Sequence, residues 1–184
     1  MTKPTPLTFK AYINLEDYIR IPNTNIVISK KQELNNHNHE QARKEAGKRN
    51  LFVAPYSLFI PYRIAVKEAN EGKTILYNAG NNSISEAEAK GINQRLTSNC
   101  WLYLDDEFVE GNGFEGLALR TCRNRVEGRD LIQEYRNSPL EKFLIEDRIL
   151  IDLNSASFNS QGLSIKKSAS TEYKPGKNIY FYKP

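Results

Sequence analysis

Across 184 residues the chain holds two cysteines, two histidines, one methionine and one tryptophan. Cys100 and Cys122 are too few for a disulfide-stapled scaffold, so both are expected as reduced thiols. His37 and His39 are the whole imidazole supply, so any Ser-His or Cys-His nucleophile pair would have to use one of them. No apolar run is long enough to cross a bilayer, and Met1–Pro6 is followed by no apolar signal-peptide core. Both absences exclude the membrane as a partner and set the expected location as the cytoplasm of the producing or infected cell.

Charge of one sign is also scarce. The net charge is +4, unevenly spread: residues 1–50 carry nine basic and five acidic groups, residues 101–150 seven and eleven, and residues 151–184 five and two. Basic ends around an acidic middle suit either an anionic partner or a dipolar surface with none. At this length one domain can bury roughly 70% of its unfolded surface. The expectation is one α+β domain over 1–184, with a mainly antiparallel sheet, three to four short helices and a flexible tail over 1–6. Abundant Asn, as at Asn23, Asn25, Asn81 and Asn82, predicts many turns and left-handed positions.

Alternation predicts strands over 7–13, 25–29, 74–77, 149–153 and 178–182. The apolar stretch 100–104 reads as a central strand that continues through Phe108 and Val109. A Gly111-Asn-Gly113 turn and a return strand through Leu117, Leu119 and Thr121 follow, which would bring Cys100 near Cys122. Residues 39–48 are helix formers with almost no apolar face, so they predict an exposed helix or excursion. A second helix is expected after buried irregular chain, with Pro61 near its first turn, stopping at Gly72. A third should start at Ser83 or Ser85 with Glu86 or Glu88 closing a capping box, burying Ile84, Ala87, Gly91 or Ile92, and Leu96. Ser138-Pro-Leu-Glu141 reads as the cap of a fourth, and Pro175-Gly176 as a turn.

Several motifs suggest chemistry. Gly72-Lys73-Thr74 has the letters that close a phosphate-binding loop, but Lys67 stands where the first glycine belongs and the element order is reversed. His37-Asn-His39-Glu40 offers alternate imidazoles for a metal, in a polar setting that reads as a solvated loop. Asp105, Asp106 and Glu107, with Glu110, form the densest acidic cluster. They are candidate ligands for a hard divalent cation or candidate general acids and bases, with Lys73 of Glu71-Gly-Lys73 as a nuclease-like partner. The bland reading is a solvated strand end balanced by Arg120, Arg123 and Arg125. Ser164-Ile-Lys-Lys167 matches the acyl-serine pattern in letters but lacks a helix to place the lysine.

Basic residues interleave with aromatics at Lys10-Ala-Tyr12 and at Lys174, Lys177, Tyr180, Tyr182 and Lys183, a pattern that serves phosphate and base contacts or a protein interface. No cofactor is expected. The preferred reading is a non-enzymatic interaction module or assembly subunit with a protein partner, of a composition that fits a viral or phage component. A nucleic-acid-binding domain using the terminal segments and a metal-dependent hydrolase or nuclease using Asp105–Glu107 are the alternatives.

Overall fold

The computed structural model describes residues 14–31, 34, 37–49, 51–97, 104–110, 117–127, 130–144, 148–166, 172–174 and 178–182. Among the described residues the fold is α+β: three α-helices, one short 3-10 turn, and strands that pair antiparallel throughout. Its contacts group into two compact units, residues 1–35 with 60–100 and residues 36–59 with 101–184. The expected strand over 7–13, the tail over 1–6, Lys10, Tyr12, Cys100, Gly111–Gly113, Pro175–Gly176, Lys177 and Lys183 lie outside the described residues.

In the first unit β1 (Tyr18–Arg20) pairs with β2 (Val27–Ser29), joined by a turn in which Asn23 takes φ 59°. Ile19 and Ile21 are buried against solvent here, with Val66 and Ile92. The helix α2 (Tyr56–Asn70) places Val66 and Ala69 on a buried stripe and closes on glycine. Gly72 has φ +70°; Lys73 N–H donates to the Glu68 carbonyl at 2.8 Å and Gly72 N–H to the Ala69 carbonyl at 3.1 Å. That pair of bonds is a Schellman closure, and it satisfies carbonyls the helix leaves open. Gly72-Lys73-Thr74 is therefore the carboxyl end of a helix, where the dipole repels phosphate. The Thr74–Tyr77 strand is not formed as a ladder; Tyr77 and Asn78 make isolated bridges to Ser83 and Ile19. Asn81, at φ 66°, turns the chain between them.

Ser85 caps α3 (Glu86–Thr97), accepting from Glu88 N–H at 3.2 Å. The Glu88 carboxylate binds Lys30 Nζ at 2.5 Å. The buried face is Ala89, Ile92 and Asn93, whereas Ala87 is exposed and Leu96 half-buried. Asn93 belongs there because its side-chain oxygen accepts from Arg63 Nη1 at 3.0 Å in the interior.

Pro61 sits inside α2, not in its first turn. Pro55 is the proline that opens the helix, its carbonyl accepting from Leu58 and Phe59 N–H. Pro61 lies on the exposed side, where its missing N–H leaves the Ser57 carbonyl without that helical donor.

The second unit begins with α1 (His39–Lys48), capped reciprocally by Asn38 and Gln41. The expectation of an exposed helix is corrected: Ala42 and Ala46, one turn apart, are 6% and 2% exposed, so two methyls serve as its packing face. A three-stranded sheet runs β3 (Glu107–Glu110), β4 (Leu117–Glu127), β5 (Asp130–Pro139). β3 starts at Glu107; of the strand expected from residue 100, residues 100–103 lie outside the described residues and 104–106 are not in a strand, while Cys122 stands opposite Tyr135 on β5. A second pair joins β6 (Arg148–Asp152) to β7 (Asn178–Tyr182). Leu119, Ile151 and Leu163 are the core, with Phe108, Phe143 and Tyr56 packed around them; the rings of Phe108 and Phe143 stack at 5.6 Å.

Ser138 does not cap a helix. It belongs to β5, opposite Leu119, and donates to the Leu119 carbonyl while accepting from Gln161 Nε2. Glu141, the expected third helical residue, instead accepts from Ser160 N–H and Oγ–H. The capping letters are used to hold the turn at 159–162. Ser164 bridges Phe158 and donates to the Lys166 carbonyl, an extended setting that removes the acyl-serine reading.

Candidate functional site

The acidic cluster, read from sequence as a solvated strand end, is largely buried: Asp105 is 1% exposed and Asp106 9%. The two-residue period of an extended chain sends Asp105 and Glu107 to one side and Asp106 to the other. On the first side stands α1, where His39 and Arg43 are one turn apart and face the same way. Arg43 Nε donates to Asp105 Oδ1 at 2.7 Å, Nη1 to Glu107 Oε1 at 2.7 Å, and Nη2 to the Asp105 carbonyl at 2.5 Å. The guanidinium carbon lies 4.8 Å from the centre of the Tyr135 ring. Glu107 also meets His39 Nδ1 at 3.4 Å and Arg120 Nη1 at 3.6 Å, the latter directly across the β3–β4 ladder.

On the other side Asp106 accepts from Thr121 Oγ1 and from the Tyr56 amide, each at 2.5 Å. Tyr56 is the first residue of α2, and its N–H is one of the donors a helix cannot satisfy internally. A carboxylate supplied from β3's approach thus caps α2, with the helix dipole in its favour.

Electrostatics follow from this packing. Burial, with the nearby Asp105 charge, pushes the Asp106 carboxyl above its usual range, while Thr121, Tyr56 N–H and Arg43 pull the other way. Burial works against the charge on Arg43, yet its bonds to Asp105 and the neighbouring acids hold it protonated above its ordinary value. His39 is driven below 6.5 by burial first and by Arg43 second, against Glu107, Asp105 and a bond the ring donates to the Leu104 carbonyl. Burial raises the Tyr56 phenol to about 12.

The His39 shift has a testable sign. Its folded pKa lies below 6.5, so the unfolded chain takes up the proton first as pH falls. The His39 contribution to stability is full above that value and is lost on descending toward the folded pKa. Urea midpoints of the wild type are expected to drop between roughly pH 7 and 5 more steeply than those of His39→Gln. Parallel slopes in the two proteins would show that the imidazole is not held neutral.

An open concavity of about 360 Å³ lies over this cluster, lined by Glu40, Arg43, Lys44, Arg120 and Tyr135. Asp105 and Asp106 are not in its wall: Asp105 is bonded to the Arg43 guanidinium, and Asp106 lies on the other side of the extended chain, bonded to Thr121 and the Tyr56 amide. Lining cations and the acids next to them cancel: Arg43, Lys44 and Arg120 against Glu40, Asp105 and Glu107. Among the described residues no group of three or more His, Cys, Asp or Glu side chains is placed to hold a metal ion. The cluster acts chemically as a brace between α1, the start of α2 and the β3–β4 ladder.

The remaining sequence candidates are dispersed. His37 precedes the cap Asn38, outside the helix. Glu110 ends β3 opposite Leu117. Lys73 belongs to the first unit, where it binds Glu71 at 2.7 Å and Lys67 binds the same carboxylate at 2.9 Å. Lys73 holds the Glu71 carboxyl below its ordinary range, so Glu71-Gly-Lys73 is a closed pair at a helix end and not a strand-borne metal site. Lys174 is exposed. Tyr180 stands opposite Leu150 and Tyr182 opposite Arg148.

Sequence reasoning passed over Arg43 as a partner of the acids, and Tyr135 altogether. The signal was present: imidazole and guanidinium four residues apart on a helix, carboxylates two apart on an extended segment, each a one-sided charged row. No family model matches the chain, and neither does any curated protein or solved structure compared with it.

Proposed function

We propose that this chain is a non-enzymatic interaction module, a subunit that binds a protein partner along its terminal strand. The observation that carries the reading is the pairing of β7: β6 occupies one edge, and among the described residues no strand occupies the other. An extended segment of a partner can add to such an edge, taking affinity from main-chain bonds and specificity from alternate side chains. Tyr180 and Tyr182 are the alternate positions on that strand, and tyrosine joins a large apolar body to a polar tip. Support also comes from the acidic cluster, whose carboxylates are committed to Arg43, Thr121 and a helix amide and so are withdrawn from hydrolytic work.

The test compares the full chain, immobilised, with a Tyr180→Lys/Tyr182→Lys variant and a Lys174→Glu/Lys177→Glu variant in cell extract. A protein retained by wild type, lost with the tyrosine variant and unaffected by nuclease supports the proposal. Retention that disappears with nuclease, weakens with salt and drops with the lysine variant overturns it in favour of a nucleic-acid ligand.

A further inference from the structure

β5 is the outer strand of the β3-β4-β5 sheet, ten residues long, and among the described residues it pairs only with β4. An open edge of that length is normally protected by charge. Here the charges are few and ordered. Glu134 and Arg136 stand two apart and so project to one face, while Tyr135 between them projects to the other and is 44% exposed. The Glu134 and Arg136 side chains lie 3.9 Å apart, 42% and 61% exposed, and an ion pair between partly exposed groups is exchanged at little cost.

We propose that the chain pairs with a second copy of itself along β5, antiparallel about a two-fold axis at Tyr135. The argument rests on which registers are allowed. In an antiparallel ladder, partners must both turn their N–H and C=O toward the shared edge or both away, and that orientation alternates along the strand. A strand paired with its own copy can therefore be centred only on a residue, never between two. Centred on Glu134, the register sets glutamate opposite glutamate. Centred on Arg136, it sets arginine opposite arginine.

Centred on Tyr135, it sets Glu134 opposite Arg136 of the second copy, twice by symmetry, and the two Tyr135 rings opposite each other. Opposite charges and aromatic rings are the cross-strand pairs that stabilise a ladder, and like charges destabilise it. Moving the centre one residue either way shifts the register by two residues and sets like charges opposite each other, so of these three registers the charge order favours the one centred on Tyr135. The contact is isologous and closes at two chains, giving a six-stranded antiparallel sheet. It also places the second copy's Tyr135 beside the concavity under Arg43, extending its wall. This surface is distinct from β7, so it stands or falls apart from the function proposed above.

The test is the mass in solution of the full chain by sedimentation equilibrium, with variants chosen by symmetry. Wild type is expected at twice the 21.1 kDa chain mass. Glu134→Arg sets arginine against arginine and Arg136→Glu sets glutamate against glutamate, and each should weaken self-association at least about tenfold. The double variant Glu134→Arg/Arg136→Glu restores both opposite-charge pairs and should return to the dimer. Mixing the two single variants should yield a heterodimer, since every cross-strand pair between them is then opposite in sign. That restoration separates register from misfolding. A monomeric wild type at tens of micromolar, or single reversals that dimerise as wild type does, overturns the proposal.

Discussion

Replacing Arg43 with methionine is expected to cost about 3–5 kcal/mol, measured as a fall in the urea midpoint at neutral pH. Methionine keeps much of the side-chain volume and removes the charge. What it leaves is the decisive part: the Asp105 side chain, 2% exposed, would lose the donor at 2.7 Å and keep its buried charge without the guanidinium opposite it. Glu107, about one-third exposed, can turn to water and to Arg120, so its share of the loss is small. The stacking of the guanidinium over Tyr135 adds about 1 kcal/mol. A double-mutant cycle with Asp105→Asn isolates the main term. The neutral amide removes the stranded charge, so Arg43→Met/Asp105→Asn should be more stable than Arg43→Met alone, with a coupling of about 2 kcal/mol or more. Additive losses would mean that the Arg43–Asp105 bond is not what holds α1 to β3.

This brace also explains what could be read from residues alone. Local rules act through neighbours, and where neighbours decide, the reading was sound. Asn23 and Asn81 adopt the left-handed backbone that asparagine tolerates, Gly72 ends α2, Ser85 caps α3, and β7 spans the residues its alternation marks. Where a partner nineteen or more residues away decides, it was not. Ser138-Pro-Leu-Glu141 carries every local mark of a helix start, yet Gln161 and Ser160 take its polar groups and β4 takes its backbone. β5 itself went unread, although only Gly128 and Arg129 separate its first residue from β4. Glu127 and Asp130 flank that pair, and the run 130–137 lacks the clean alternation of a half-buried strand. At the candidate site the acidic letters were conspicuous and their partner was not. Arg43 lies 62 residues before Asp105, and a charge in a polar helix looks solvated until the sheet is laid against it.

Gly162→Ala is expected to cost about 3 kcal/mol or more, and the reason is space as much as backbone angle. Gly162 has φ +80°, a conformation that costs an alanine about 1 kcal/mol. A methyl there would also lie 2.5 Å from the Tyr56 carbonyl carbon, 2.6 Å from its oxygen and 2.7 Å from Ser57 N, all backbone atoms of the first turn of α2. Backbone cannot rotate aside as a side chain does, so the turn or the helix must move, at about 1–3 kcal/mol more. The turn has little room to yield. Asn159 Oδ1 accepts from both Gln161 and Leu163 N–H, and Leu163 is fully buried in the core with Leu119 and Ile151.

Gly72→Ala is the control that separates the two causes. Its φ is +70°, but the nearest atom to an added methyl is Glu86 Oε1 at 3.8 Å, an ordinary contact with a mobile side chain. It should lose only the backbone share, about 1 kcal/mol. A melting temperature lowered by about 6–12 °C in Gly162→Ala, against about 2–4 °C in Gly72→Ala, is the expected pattern. Equal losses would place the whole cost in the backbone angle and would mean that the turn at 159–162 does not rest on the start of α2.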